Sequence, residues 1–99
     1  MARLIIWSYR ATEDLEGIAA YIAQDSDVYS RSVVRTILQK TRVLADFPFI
    51  GRIVPEFDDE SIREIFAYSY RIIYKVSNDE IIVATVVHGK RVLDIALKP

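Results

Sequence analysis

The side chains best suited to chemistry lie in the last third of the chain, around its only histidine, His88. An unperturbed imidazole titrates near neutral pH, so His88 can transfer a proton under physiological conditions. Arg71, Lys90 and Arg91 supply positive charge nearby. Since a histidine moves protons while guanidinium groups stabilise developing charge, this set could act on a phosphodiester. The structural alternative is that His88 ends a strand and hydrogen-bonds to a backbone group.

A carboxylate, Glu64, precedes this set and could serve as its second proton-transfer group. We expect Arg71 and Lys75 to lie diagonal to Glu64 on a neighbouring strand, which favours a cross-strand ion pair. Such pairing lowers the pKa of a carboxyl group and makes it a poorer base, so we favour the structural interpretation. The other charged groups, an acidic run and a set of helical arginines, are interpreted as solvated surface. They are Glu56, Asp58, Asp59, Glu60, Arg31, Arg35 and Arg42.

The composition excludes several classes of protein. With 99 residues, the chain is long enough for one domain with one core. It contains no cysteine and one histidine, which excludes disulfides, a thiol nucleophile and metal sites rich in these residues, and we expect neither metal nor cofactor. The net charge of −1 argues against autonomous nucleic-acid binding. The lack of a long apolar run predicts a cytoplasmic protein without a membrane span.

The spacing of apolar residues predicts an α+β fold that begins with a strand. The apolar run Leu4–Trp7 is typical of a β-strand, and apolar residues at helical spacing predict a helix over residues 11–24. After a break at residues 25–27, a second helix extends to about Asp46. So short a connection favours an antiparallel helical hairpin.

Three further strands are predicted in the last third of the chain, at Ile62–Ala67, Tyr70–Val76 and 81–87, joined by two-residue turns. Regular hairpins assign alternate side chains to two faces of the sheet. One face is expected to pack against the helices. The other mixes apolar and polar side chains, which is typical of a partner-binding surface. The residues predicted to bind a partner there are Phe66, Ile73, Lys75, Ile82 and Val86.

The same regular pairing assigns the residues at the end of the last strand. It places Val87 on the core side, and His88 on the mixed side near Arg71. The main core is predicted from the apolar stripes of both helices and from the inward-facing strand positions. Its predicted members are Leu15, Ile18, Ile22, Val34, Ile37, Leu38, Leu44, Ile72, Tyr74 and Val83.

Several short motifs follow one another along almost the whole chain. They are Ala11-x-x-Asp14-Leu15-x-x-Ile18 followed by Tyr21-Ile22, Phe47-Pro48-x-x-Gly51-Arg52, Arg63-Glu64, Tyr70-Arg71-Ile72-Ile73-Tyr74-Lys75-Val76 and Val87-His88-Gly89-Lys90-Arg91. Their order and spacing resemble the RelE/ParE superfamily of toxins from bacterial toxin–antitoxin modules. The resemblance implies a helical hairpin packed against one twisted antiparallel sheet, in which the N-terminal strand joins a three-stranded meander. It also implies a partner, a small ParD- or RelB-like antitoxin.

The superfamily divides by target. RelE-like members cut messenger RNA in the ribosome, whereas ParE-like members, such as plasmid stabilisation proteins, poison DNA gyrase and are not nucleases. For an RNase, the resemblance implies that Arg71 and Arg91 act as cations. His88 and Glu64 would then have to transfer the protons.

This chain departs from the RelE-like pattern. Ile62 and Glu64 stand where RelE-like enzymes place lysines, and Leu97 stands where their tyrosine falls. Without these groups, the sheet lacks an excess of positive charge and the usual acid–base phenol. We therefore expect a ParE-like toxin that inhibits growth by poisoning DNA gyrase. The alternatives are a RelE-like, ribosome-dependent endoribonuclease and a toxin-like fold that has lost its toxicity.

Overall fold

The computed structural model describes residues 2–89, which form two helices and five strands. In chain order, the elements are β1 (Leu4–Trp7), α1 (Tyr9–Ala23), α2 (Asp27–Val43), β2 (Arg52–Ile53), β3 (Ile62–Ala67), β4 (Tyr70–Val76) and β5 (Glu80–His88). The predicted α+β fold is confirmed, with each predicted helix and strand in its place. The short strand β2 is an addition.

Both helices begin at a serine cap. Ser8 Oγ accepts a hydrogen bond from the backbone N–H of Ala11, and Ser26 Oγ accepts one from the N–H of Tyr29. Each cap satisfies an N–H group that has no partner within its own helix. The short connection between the helices folds them into the predicted hairpin.

The sheet is mixed and has the strand order β1-β5-β4-β3-β2. β1 pairs in parallel with β5, whereas the other neighbours are antiparallel. The sheet thus differs from the predicted antiparallel one in the direction of β1 and in the additional strand β2. The helical hairpin follows β1 in the chain and packs on one face of the sheet. β1 and β5 are therefore neighbours in the sheet although they are far apart in sequence. No local pattern encodes the direction of such a pairing.

The main core lies between the helices and one face of the sheet, here called the helix side. Five of the predicted core residues are fully buried: Ile37, Leu44, Ile72, Tyr74 and Val83. Three more are partly buried against them: Leu15, Ile18 and Ile22. Val34 and Leu38 instead line a groove on the outside of the hairpin, so their assignment to the main core is wrong. The buried stripe of α2 is therefore narrower than predicted.

A β-bulge changes which side chains of β5 face the helices. The predicted pairing of β4 with β5 holds from their shared turn as far as Val83 and then shifts by one residue. Because side chains alternate along a strand, every later side chain of β5 faces the side opposite to that predicted. Val86 therefore joins the main core, Val87 turns away from it and His88 returns to the helix side. The predicted faces of these three residues are wrong.

Side chains from the start of the chain stabilise the shifted part of β5. Thr85 Oγ1 and the N–H of Val86 both donate to Asp14 Oδ2, at 2.5 and 3.0 Å. Ser8 Oγ donates to the carbonyl oxygen of Ala84 at 2.9 Å. β1 ends before it reaches this part of β5, so these contacts take the place of a neighbouring strand. Contacts with a segment so distant in the sequence cannot be predicted from regular hairpin pairing.

The opposite face of the sheet, here called the outer face, carries a second, smaller core. Val54, Ile73 and Val87 are buried there, and Phe57 and Ile62 pack against them. Val54 and Phe57 belong to the segment that follows β2. This segment covers part of a face that the sequence pattern predicts to bind a partner.

Gly51 permits a close approach between the turn after α2 and the sheet. A Cβ atom at this position would lie 2.5 Å from the carbonyl oxygen of Glu64 and 2.6 Å from the hydroxyl oxygen of Tyr74. The same hydroxyl accepts a hydrogen bond from the N–H of Gly51 and donates one to the carbonyl oxygen of Pro48. Tyr74 thereby fixes the turn from which β2 starts.

Candidate functional site

Arg71 lies on the outer face of β4 and is almost completely enclosed, since its side chain is 6% exposed. Its Nε donates to Glu64 Oε1 at 2.6 Å. Its terminal nitrogens donate to the two carboxylate oxygens of Glu56, at 2.8 and 2.9 Å. The hydrogen bonds with Glu56 raise the pKa of Arg71 above its usual value, although burial opposes them. Two carboxylates therefore surround a guanidinium group that stays charged.

Glu64 is the centre of this Arg71 cluster, which consists of Arg71, Glu64, Glu56 and Arg52. Its side chain has no exposed surface, and it accepts a second hydrogen bond from Nε of Arg52, which reaches it from β2. The predicted ion pair of Glu64 with Arg71 is confirmed. Lys75 is exposed and, within residues 2–89, forms no ion pair with Glu64. Both carboxylate oxygens of Glu64 accept from guanidinium groups, so this buried side chain does not face a substrate.

His88 lies on the helix side of the sheet. Its ring makes an edge-to-face contact with Tyr70, with ring centroids 6.1 Å apart. Together with Glu13 and Asp14, it lines a groove of about 360 Å³ between α1 and β5. The imidazole is therefore directed towards the helices and away from the Arg71 cluster.

The structure thus separates the residues that the resemblance implies for an RNase. Glu64 and Arg71 meet on the outer face, whereas His88 lies on the helix side. Arg91 lies outside the described residues. Proton transfer by His88 and charge stabilisation by Arg71 would have to take place on opposite faces of the sheet.

The residues predicted to bind a partner differ in accessibility. Phe66 and Lys75 are exposed on the outer face, and Ile82 is partly exposed. Ile73 is buried beneath the covering segment and Val86 is turned into the main core by the bulge, so the predicted accessibility of both is wrong. The accessible part of the predicted surface consists of Phe66, Lys75 and Ile82.

A comparison with protein families finds one whose sequence profile matches most of this chain. The sequence profile of the ParE toxin of type II toxin–antitoxin system, parDE, matches residues 5–93. The chain belongs to the ParE toxin family. The matched residues include both helices, the Arg71 cluster and every strand of the sheet except Leu4, the first residue of β1.

Solved toxin structures share the fold of this ParE-family chain. The chromosomal ParDE toxin–antitoxin system from P. aeruginosa matches with a TM-score of 0.71 and 17% identity, covering 88% of this chain and 96% of that one. The RelBE2 toxin–antitoxin complex from Mycobacterium tuberculosis gives 0.64 and 13%, covering 89% and 99%. An arginine-to-alanine mutant of the E. coli toxin RelE in the free state gives 0.66 and 19%, covering 91% and 86%. A search of curated protein sequences gives no match.

Two further kinds of feature are absent from the part of the ParE-family chain that the structure describes. Within residues 2–89, no group of three or more histidine, cysteine, aspartate or glutamate side chains is arranged to bind a metal ion. No helix in this part is both long enough and apolar enough to cross a membrane.

The sequence pattern does not predict that Arg52 and Glu56 join the Arg71 cluster of this ParE-family chain. Arg52 and Glu56 reach the cluster because the segment after β2 crosses the outer face, and Val54 and Phe57 anchor that segment by packing. Glu56 belongs to the acidic run that the sequence assigns to solvent. Glu56 is exposed, as that assignment expects, but its side chain also pairs with Arg71, which the sequence did not predict.

Proposed function

We propose that this ParE-family chain is a toxin that inhibits growth by binding DNA gyrase, without chemistry of its own, and that a cognate antitoxin neutralises it. One observation carries the proposal. Arg71, the cation that an RNase would need on this sheet, is enclosed by Glu64 and Glu56 instead of facing a substrate.

The arrangement of the polar groups argues against phosphodiester cleavage. Cleavage needs a base, an acid and cations that reach the phosphoryl group. A phosphate could approach Arg71 only by displacing two carboxylates from it. His88 lies across the sheet from that point. Residues 2–89 therefore offer no single place at which a scissile bond would meet both groups.

A protein target fits the accessible outer face better than RNA does. Phe66 and Ile82 supply apolar contact area, and Lys75 supplies a positive charge. The exposed guanidinium of Arg52 lies over the Phe66 ring and is paired with Glu64. A depression of about 200 Å³ beside Lys75, lined mostly by apolar side chains, extends this surface. Protein interfaces combine apolar centres with a few polar groups, whereas RNA-binding surfaces concentrate positive charge. We propose that Phe66, Lys75 and Ile82 contact gyrase.

The neutralising partner is proposed to be a small ParD- or RelB-like antitoxin. Two structural relatives are named as a ParDE toxin–antitoxin system and a RelBE2 toxin–antitoxin complex. We propose that the toxin-binding segment of the antitoxin is disordered alone and folds on contact, as polar segments that bind apolar surfaces commonly do. Both proteins are proposed to act in the cytoplasm, where gyrase is found.

The test follows gyrase and translation separately. Purified protein is added to gyrase acting on relaxed plasmid, and to translating ribosomes whose message ends are then mapped. We expect loss of supercoiling with intact messages and, after induction in a bacterial host, a DNA-damage response with filamentous cells. Phe66→Ala/Lys75→Glu should weaken gyrase inhibition by about tenfold or more. His88→Ala, on the opposite face, should leave it unchanged.

Three other results would contradict parts of this proposal. Message cuts at fixed codon positions that disappear in His88→Ala would favour the ribosome-dependent RNase. A folded, induced protein without any effect on growth would favour a fold that has lost its toxicity. If the product of the neighbouring reading frame is co-expressed and forms no complex, the antitoxin part of the proposal fails.

A further inference from the structure

The groove of about 360 Å³ between α1 and β5, here called the α1–β5 groove, has two different walls. One wall belongs to α1, where Glu13, Gly17 and Tyr21 are spaced four residues apart and therefore lie in one row along the helix. The other wall belongs to the sheet, where Tyr70 and His88 make their edge-to-face contact. The groove thus places a carboxylate and aromatic rings around one space.

Gly17 leaves a gap in the middle of the row on α1. Its backbone has no positive φ, so the helical conformation does not require a glycine. A Cβ atom at this position would meet no heavy atom within 4 Å beyond its own helix backbone and its chain neighbours, so close packing does not require a glycine either. Glycine is nonetheless the least favourable residue in a helix interior apart from proline. Within the described residues, the gap serves no packing, and it leaves room for a group from outside the chain.

The charges of the α1–β5 groove favour a cationic group. The carboxylates of Glu13 and Asp14 line it, and no lysine or arginine is among its described lining residues. Glu13 is exposed, and in the part of the chain that the structure describes neither carboxylate forms an ion pair. The rings of Tyr21 and Tyr70 add to this preference, because the face of an aromatic ring attracts a cation.

We propose that the α1–β5 groove binds one arginine side chain of a protein partner. The guanidinium group enters at Gly17, pairs with the carboxylate of Glu13 and stacks on the ring of Tyr21. A guanidinium group can make both contacts, because it is planar and presents its donors as a fork. The aliphatic part of the arginine and the apolar neighbours of that arginine in the partner cover Ile18 and Val86, which also line the groove.

Other ligands fit the described lining less well. Among residues 2–89, the histidine and acidic side chains are not arranged to bind a metal ion. The two carboxylates would repel the phosphates of a nucleic acid or of a lipid headgroup. A free amine would bind weakly to an exposed carboxylate, since water and salt compete for it, whereas a protein that covers the groove excludes water from the pair.

The α1–β5 groove is separate from the surface that is proposed to contact gyrase. Phe66, Lys75 and Ile82 lie on the outer face of the sheet, and none of them lines the groove. The inference therefore goes beyond the proposed function and does not depend on the target of the toxin. A binding experiment with a peptide tests the groove without gyrase, ribosomes or an antitoxin, so failure of either proposal leaves the other standing.

The probe is a capped peptide of about five residues with an arginine between two leucines, and the control peptide carries citrulline, which has the shape of arginine without its charge. Each peptide is titrated into the isotope-labelled full chain and followed by NMR. We expect saturable shifts at the backbone amides of Glu13, Gly17 and Tyr21, and binding at least about tenfold weaker for the citrulline peptide. Equal affinities of the two peptides, or the absence of saturable shifts, overturn the proposal.

Arginine amide, without a peptide around it, separates a protein partner from a small free cation as the source of the guanidinium group. It should bind at least about tenfold more weakly than the arginine peptide, because it leaves Ile18 and Val86 uncovered. If arginine amide binds as tightly as the peptide, the assignment to a protein partner is wrong.

The role of the gap is tested by filling it. Gly17→Leu places a side chain in the groove, and Ala20→Leu places the same side chain at an exposed position of α1 outside the groove. We expect Gly17→Leu to weaken peptide binding by at least about tenfold without lowering the melting temperature, because the added Cβ meets no neighbour and leucine favours a helix. Ala20→Leu should bind within about threefold of the unmodified chain. If circular dichroism shows that Gly17→Leu is unfolded, Gly17→Ala replaces it.

The role of the carboxylate is tested by a pair of variants with the same change in net charge. Glu13→Gln removes the charge that lines the groove, whereas Glu16→Gln removes one from an exposed position of α1 outside it. We expect Glu13→Gln to weaken binding of the arginine peptide by about fivefold or more and Glu16→Gln by less than about twofold. Equal effects of these two variants, or unchanged binding when the gap is filled, would contradict the proposal.

Discussion

At the scale of single residues, Arg71 is held by two carboxylates in two different ways. Glu56 binds it through both oxygens from the segment after β2, whereas Glu64 accepts from its Nε and is itself held by Arg52. Burial removes hydration from each ion, so the net stabilisation by such a pair is small. Removing one partner is costly, however, because the other charge stays buried without compensation. Loss of Arg71 should therefore lower the stability of the fold.

Replacement of Arg71 by alanine should lower the free energy of unfolding by about 3–5 kcal/mol, because the buried Glu64 loses one of its cations. Urea unfolding followed by circular dichroism measures this change. Lys75→Ala is the control on the same strand, and it should change the free energy of unfolding by less than about 0.5 kcal/mol because Lys75 is exposed. A loss below about 1 kcal/mol for Arg71→Ala would mean that water replaces the missing cation.

Tyr74 should lose its hydroxyl proton at a higher pH than an ordinary tyrosine, because burial raises its pKa above 10.0. The native protein then keeps this proton where the unfolded chain has lost it. The resulting stability is fully present below the usual pKa of tyrosine and is lost as the pH rises through the raised value.

Alkaline titration of the tyrosine absorbance checks this prediction. We expect a late ionisation phase that is missing in Tyr74→Phe and retained in Tyr21→Phe, which changes an exposed tyrosine. A late phase that persists in Tyr74→Phe would assign the raised pKa to another residue. Tyr74→Phe should also reduce the free energy of unfolding by about 1–3 kcal/mol, because the N–H of Gly51 loses its acceptor.

At the scale of elements, the bulge in β5 decides what the end of that strand can do. It moves His88 to the helix side and Val87 to the outer face, where Val87 completes the small outer core. Asp14 stabilises the shifted part of β5, because it accepts hydrogen bonds from the side chain of Thr85 and from the backbone N–H of Val86. A carboxylate on α1 thus supports the arrangement in which the only histidine lies on the helix side.

Asp14→Ala should lower the free energy of unfolding by about 1–3 kcal/mol, because the N–H of Val86 loses its acceptor at a partly buried position. The same change should accelerate hydrogen exchange at the amide of Val86. Glu13→Ala, at the exposed neighbouring position, is the control and should change the free energy of unfolding by less than about 0.5 kcal/mol. Unchanged exchange at Val86 would show that the bulge is stable without Asp14.

At the scale of the whole molecule, the chain has two surfaces on opposite layers. The helical hairpin presents the groove lined by Val34 and Leu38, and the outer face of the sheet presents an exposed surface beside the covered Arg71 cluster. Ile37 and Leu38 mark the boundary between the main core and the groove. Ile37 is fully buried, whereas its neighbour Leu38 is partly exposed and lines the groove.

Ile37→Ala should therefore lower the free energy of unfolding by about 2–5 kcal/mol, as expected for an aliphatic side chain removed from a core. Leu38→Ala should cost clearly less, because part of the Leu38 side chain already contacts solvent. Urea unfolding of the two variants under the same conditions makes the comparison. Equal losses would mean that Leu38 belongs to the main core after all and that the groove is shallower than the structure indicates.

The helices, the long strands and the family could be predicted from the sequence. Helical and strand periodicity are local properties, and the serine caps Ser8 and Ser26 act within a few residues of their own positions, so both helices and the three long strands could be predicted. Of the candidate site, the sequence predicted the ion pair between Arg71 and Glu64, because the β3–β4 hairpin is regular and its pairing follows from its two-residue turn.

Tertiary structure alone decided which of these residues can meet. The face of His88 depends on a bulge that Asp14 stabilises from the first helix, and the enclosure of Arg71 depends on Glu56, which a segment without any periodic pattern brings across the sheet. The groove lined by Val34 and Leu38 likewise forms where α1 packs beside α2 at Ala19. A local pattern records the preferences of neighbouring residues, whereas each of these contacts joins segments that are distant in the chain and meet only when the whole core has packed.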